Sequence, residues 1–170
     1  GRADGVIGHA VSVPRAVAAR ATVGAMRLEQ DEAERRLAEH DHGVLATVHP
    51  HRGVDAVPTV YAVADRFVAI PVDRVKPKSS GRLQREANLA ADPRATLLVE
   101  HWDRDDWSRL WWVRGELTWT PERDTGRDDE LAARLADRFV QYSDRPFDRL
   151  LVFRLGTATG WAAADDGGAR

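Results

Sequence analysis

Between Gly43 and Val72 the sequence contains three short apolar runs with only tight turns between them. Gly43–His49 (GVLATVH) reads as a strand, Val54–Val63 as a second and Arg66–Val72 as a third. The first turn is Pro50-His51-Arg52-Gly53, marked by its Pro and Gly, and the second is the reversal at Asp65-Arg66. Parallel neighbours need a crossover of a dozen residues or more, and these connections are far shorter. The three runs are therefore expected to form an antiparallel meander.

The rest of the chain adds helices singly between strands. Upstream, Leu28, Ala33, Leu37 and His40 fall on one helical face with charge opposite. After the third strand, Pro71–Ser80 is polar and irregular; Ser79 or Ser80 is placed to cap a helix over Gly81–Ala91, which Asp92-Pro93 ends. Arg94–Trp102 and Arg109–Trp119 read as strands joined by the acidic loop Asp103–Trp107. Asp128–Tyr142 reads as a helix with Leu131, Leu135, Phe139 and Tyr142 on one face, and Arg149–Leu155 as a last strand with Trp161 just beyond it. Closely spaced antiparallel strands with few helices favour a barrel over a doubly wound sheet. The expected fold is mainly β (α+β), about six antiparallel strands with flanking helices. It forms one domain over residues 26–165, with a loose extension at 1–25 and a short tail at 166–170.

Composition removes several functions. The chain has 170 residues and no cysteine, which excludes disulfides, thiolate metal sites and cysteine nucleophiles. No apolar run approaches the roughly 18 residues of a membrane helix, and the broken apolar patches before Gly24 do not form a signal sequence. The expectation is a cytoplasmic protein with no membrane partner. A net charge of -2 gives no reason to expect nucleic acid. No nucleophile elbow, P-loop or G-x-G-x-x-G is present. The pairs His40/His42 and His49/His51 lack a third ligand at suitable spacing, so no metal is expected.

Two groupings remain. Lys76, Lys78, Arg82 and Arg85 lie within ten residues at an expected helix start, beside Ser79, Ser80 and Gly81. Cations, small hydroxyls and free backbone N–H groups together suit a phosphate or carboxylate, although most charge runs are simply solvated. The second grouping is Trp102, Trp107, Trp111, Trp112 and Trp119. In the strand Arg109–Trp119 the odd positions from Trp111 to Trp119 read as core, and the mixed even set, with Trp112 and Arg114, reads as a subunit face or the rim of a ligand site. Packing is the ordinary role of such tryptophans, but they also suit a planar heterocycle. An anion clamp and aromatic walls without an acid–base engine point to a protein whose cofactor carries the chemistry.

These segments also carry a family resemblance. Gly43–Val63 (GVLATVHPHRGVDAVPTVYAV) resembles the opening hairpin of the pyridoxamine 5′-phosphate oxidase-like, FMN-binding split barrels, and Asn88–Val99 (NLAADPRATLLV) resembles their helix end and next strand. Asp106–Arg114 (DWSRLWWVR) is similar to a signature of the actinobacterial branch that uses the deazaflavin coenzyme F-420. The resemblance implies a homodimer with cofactor sites at its interface. The cofactor ring would lie against Val57, Pro58, Thr59 and Val60, and its phosphate near Lys76, Lys78, Ser79, Arg82 and Arg85. Arg85 and Asn88 hold the places of the family's K/R-x-x-N, and Trp161 that of a tryptophan closing the ring pocket. The stretch Pro77–Leu83 is longer than in many relatives, which leaves open which cation meets phosphate. The implied activity is an F-420-dependent oxidoreductase, with an FMN-dependent enzyme or a non-enzymatic flavin- or haem-binding protein as alternatives. No residue is assigned as catalytic; Tyr61, His101 and Arg114 are the candidates for a proton donor, and the substrate is not legible.

Overall fold

A computed structural model describes residues 24–73 and 83–164. Its order is β1 (Gly24–Arg27), α1 (Gln30–Glu39), β2 (His42–His49), β3 (Gly53–Val60), β4 (Ala62–Ala64), β5 (Phe67–Asp73), α2 (Gln84–Ala91), β6 (Arg94–His101), β7 (Trp111–Trp119), α3 (Thr125–Arg138) and β8 (Phe147–Ala164). Single 3₁₀ turns occupy Trp107–Arg109 and Val140–Tyr142. The strands form one antiparallel sheet in the order β3-β2-β6-β7-β8-β5-β4, with β1 added to β8. Eight strands stand where about six were expected, because β1, which straddles the start of the expected domain, was not expected as a strand, and the second run splits in two.

That split corrects the expected meander. β3 pairs with β2 and β4 pairs with β5, so the two hairpins lie at opposite ends of the strand order. The chain crosses between them at Tyr61, which belongs to neither strand. Its side chain is fully buried and its hydroxyl donates to the Leu37 carbonyl at 2.5 Å. Leu37 lies in the last turn of α1, where helix carbonyls lack partners; Arg138 serves two more, donating to the carbonyls of Ala38 and His40. Anchoring Tyr61 in the core turns the strand away from its hairpin partner. The result is a split barrel with an open seam between β3 and β5.

The core follows the period-2 pattern. Leu45, Leu97, Val113 and Phe153 meet Leu37 of α1 and Leu89 of α2 inside the barrel, while Leu131 and Leu135 of α3 cover Ala62, Ala69 and Val152. Along β7, Val113, Gly115 and Leu117 are buried and Arg114, Glu116 and Thr118 are exposed, as the alternation predicts. β8 runs to Ala164 because it serves three partners in turn, β5, β7 and β1. Trp161 therefore lies inside this strand, not beyond it. No helix among the described residues is long and apolar enough to cross a membrane.

Two helix limits also differ from expectation. Within the described residues α2 starts at Gln84, not at Gly81. Its first turn is closed by the chain's own Glu86 carboxylate, which accepts from the Leu83 N–H at 2.9 Å. α3 starts earlier than expected, capped by Asp124 accepting from the Arg127 N–H at 3.1 Å. It also stops at Arg138, because Phe139 takes an extended conformation, φ -122° and ψ 116°. Phe139 and Tyr142 leave the helix face that the sequence pattern put them on.

Candidate functional site

A cavity of about 540 Å³ opens at the seam, lined by His42, Pro58, Thr59, Val60, Pro71, Asp73, Arg85, Phe139, Gln141 and Tyr142. Each wall follows from a local feature. Pro58 on β3 and Pro71 on β5 lack a ladder donor and sit where each strand has an open side. Val60 lies opposite His42 in the β2–β3 pair, which puts His42 at the same rim. Phe139 and Tyr142 reach the cavity because α3 ends early, and their rings pack edge to face, with Phe147 behind Tyr142.

Arg85 supplies the cation. It is half-buried, and its Nε is fully buried with no hydrogen-bond partner. Burial pushes the guanidinium below its ordinary pKa, an effect opposed by the fields of Glu86 and Asp73. A buried donor without an acceptor costs free energy. Arg85 lines the cavity, which makes its guanidinium the candidate cation for an anion there. In the same cavity the Tyr142 hydroxyl donates to Asp73 Oδ2 at 2.7 Å. Burial and then this bond push the phenol above its ordinary pKa.

The sequence-derived residues are sorted by this geometry. Pro58, Thr59, Val60 and Arg85 share the cavity. Val57, on the same strand, turns inward and packs against the core. Asn88 is fully buried and its amide is committed: Nδ2 donates to Thr47 Oγ1 at 3.0 Å and Asp55 Oδ2 at 2.9 Å, and Oδ1 accepts from Gln84 at 3.0 Å. It braces the helix that carries Arg85. Lys76, Lys78, Ser79 and Arg82 lie outside the described residues. Trp161 does not line the cavity; it pairs with Trp112 on one side and Arg27 on the other. Of the three proton-donor candidates, Tyr61 is spent inside the core, with burial raising its pKa. His101 stacks on Trp111, and Arg114 bonds Thr159 Oγ1. Sequence reasoning did not place His42, Pro71, Asp73, Phe139, Gln141 or Tyr142 at this cavity. Pro58 and Pro71, each inside a strand-like run, were the available signal for two open edges.

Asp106–Arg114 lies elsewhere. Its Asp106 carboxylate caps the 3₁₀ turn by accepting from the Ser108 N–H at 3.1 Å. Ser108 through Trp111 line a second cavity of about 480 Å³ with Arg36 and His40. There Arg36 lies over the Trp111 ring at 5.1 Å and His40 meets it edge-on at 5.3 Å. The His40 and His42 rings, 5.2 Å apart, stand between the two cavities. Burial, then the nearby His42, lowers the pKa of His40. Among the described residues no group of three His, Cys, Asp or Glu side chains is placed to hold a metal.

No family model matches the sequence, and no curated protein does. Solved structures do share the architecture. A FAD-binding protein from Mesorhizobium loti superposes with a TM-score of 0.60 at 15% identity, over 82% of this chain and 99% of that one. The heme storage protein HutZ of Vibrio cholerae gives 0.55 at 18%, over 81% and 95%. A candidate pyridoxamine 5′-phosphate oxidase from Corynebacterium glutamicum gives 0.52 at 14%, over 84% and 100%. The fold is thus the split β-barrel of pyridoxamine 5′-phosphate oxidase-like proteins, an architecture on which flavin-binding and haem-storing proteins are both built.

Proposed function

We propose that the seam cavity binds a phosphate-bearing tricyclic cofactor of the flavin class, that this cofactor is the deazaflavin coenzyme F-420, and that the protein is an oxidoreductase acting on a small organic molecule. The observation that carries the reading is the buried, acceptor-less Nε of Arg85 at one end of a cavity whose other wall is Pro58–Val60. A cavity of about 540 Å³ falls within the range that cofactor-sized ligands occupy. Arg85 suits the phosphate, since its fork binds two oxygens at once. Pro58 and Val60 offer a flat apolar wall for a ring, while Phe139 and Pro71 keep water from it. When bound, the deazaflavin supplies a hydride-carrying carbon in the place of flavin N5. The chain's residues hold that carbon against its partner and exclude solvent. Lys76, Lys78, Ser79 and Arg82 would extend the anion site toward the tail. The deazaflavin is preferred over FMN for the likeness of Asp106–Arg114 and for the paired lysines.

The site would be completed by a second copy of the chain. The outer face of β3, β2 and β6 carries exposed Val54 opposite Val48, and exposed Leu98 opposite Val44 further along β2, an apolar face that a soluble monomer rarely leaves open. Trp112 lies on the outer side of β7, whereas Trp111 packs inward, so Trp112 is the tryptophan available for that contact.

The test is a titration of the purified protein with F-420, FMN and haem. Tight, saturable F-420 binding with weaker FMN binding supports the reading. Stoichiometric FMN with no F-420 binding replaces the cofactor but keeps the class. Haem alone, signalled by a shifted Soret band, would favour a haem protein with His42 at the cavity as the iron ligand. No binding of any of the three overturns the site.

A further inference from the structure

The cavity beside α1 holds a cation whose hydrogen bonds are only partly used. Arg36 lines it, gives its Nε to Glu32 Oε1 at 2.6 Å, and lies with its guanidinium over the Trp111 ring at 5.1 Å. Neither terminal nitrogen of Arg36 has a hydrogen-bond partner among the described residues. A guanidinium held at one nitrogen and on one face keeps its fork of terminal N–H groups in place, the geometry that takes both oxygens of a carboxylate. The other charges are already matched. Arg35 is spent on Glu32 and Glu39, and Arg109 donates to Asp103. Three arginines thus stand with three carboxylates, so net charge adds little pull on an anion. What remains is the one fork, which suits a single carboxylate better than a multiply charged group. Burial and then His42 hold His40 below its ordinary pKa, so its ring adds no charge at neutral pH.

The rest of the lining is apolar and aromatic. Leu110, Trp111, Ala162 and Ala163 border the cavity. Trp111 is stacked on His101 at 19° and met edge-on by His40, so a further flat ring would extend an aromatic group that is already assembled. About 480 Å³ is room for a ligand of one or two rings. We infer that this cavity is a binding site for a flat aromatic monocarboxylate, with its carboxylate on the terminal nitrogens of Arg36 and its ring beside Leu110 and Trp111. The His40 and His42 rings stand between this site and the seam cavity, and it needs no cofactor there.

The experiment is calorimetric titration of the full chain with 2-naphthoate and with 2-naphthamide, which has the same shape without the charge. The native chain should bind the carboxylate at least roughly tenfold more tightly than the amide. Arg36→Gln should abolish that preference. Arg36→Lys keeps a cation beside Glu32 and covers the case in which the Gln protein does not fold; it should lose most of the preference, because an ammonium has no fork. Arg85→Met, whose change lies in the seam, should bind 2-naphthoate as the native chain does. Binding of neither probe, equal binding of both, or a native preference in a folded Arg36 variant would overturn the inference. Loss of 2-naphthoate binding in Arg85→Met would overturn it too, by putting the acid in the seam cavity.

Discussion

Arg85→Met separates the two consequences of burying a cation at the seam. In the empty protein the Arg85 Nε–H has no acceptor. A buried unsatisfied donor costs about 1–3 kcal/mol. What Met gives up is the attraction of Arg85 for Glu86 and Asp73. Glu86 already accepts from the Arg149 Nε at 2.7 Å and Asp73 from Tyr142, so that loss resembles a partly exposed ion pair, about 1 kcal/mol or less. Met retains the apolar stem. The balance favours the variant by about 1 kcal/mol, or about 2–4 °C in melting temperature for a chain of this size. Binding should go the other way. Each charge-assisted hydrogen bond to a phosphate is worth about 1.5–3 kcal/mol, so affinity should drop by about one to two orders of magnitude. Thermal melts of the empty proteins and fluorescence titrations at low and high salt measure both halves. An empty variant that melts several degrees lower would make Arg85 a structural strut. Native affinity in the variant would refute the anion site.

Light scattering at micromolar concentration should return twice the chain mass, and Leu98→Glu, which charges the exposed outer face of β6, should return a monomer; a monomeric native chain would end the dimer proposal. Tyr61→Phe should destabilise the fold by about 1–2 kcal/mol through the lost bond to the Leu37 carbonyl, yet leave cofactor affinity within about twofold, as titration would show. Glu32, bonded by Arg35 and then Arg36, has its carboxyl pKa lowered from 4.5 to about 2. A depressed carboxylate contributes stability above its unfolded pKa that is lost as pH falls through the folded one. Denaturant midpoints should therefore fall less steeply between pH 4.5 and 2 in Glu32→Gln than in the native chain, and equal slopes would contradict the assignment.

What the sequence made legible is what local pattern controls. The alternation along β7, the turns at Gly53 and Asp65-Arg66, and the strand at Arg94–His101 all follow from near neighbours. Asp65 and Arg66 both have positive φ, 43° and 64°, the geometry of a two-residue hairpin turn. The wall Pro58–Val60 and the cation Arg85 came from resemblance and charge grouping. The break at Tyr61 was invisible, because it falls inside the continuous apolar run Val60–Val63, with no turn residue to mark it. The event that divides it is a bond to Leu37, 24 residues earlier in the chain. Phe139 and Tyr142 were hidden for a related reason. Helical spacing continues through them, but α3 ends where Arg138 reaches across to the carbonyls of α1. The helix start at Gly81, with Ser79 or Ser80 as its cap, was misjudged because an Asn, Ser or Asp cap is the usual signal, whereas here Leu83 stands at the cap and the Glu86 carboxylate closes the turn from inside.

These departures converge on the seam, and α2 explains how an open seam can still hold a site in register. One turn of this helix faces three ways. Glu86 accepts from Arg149 on β8. Asn88 donates to Thr47 on β2 and Asp55 on β3. Arg85, between those directions, reaches the cavity. Since β8 pairs with β5 and β2 pairs with β3, the helix ties together the two sides of the split that no ladder joins. The distance from the Arg85 guanidinium to the Pro58–Val60 wall is therefore set by two anchors on the same helix turn. A ligand that bridges cation and wall meets a gap whose width is already fixed, so little ordering cost remains for it on binding. The K/R-x-x-N spacing then has a physical meaning in this chain. In the proposed site the first residue would meet the anion, and the fourth, one turn on, locks the helix to the strand against which the ring would lie.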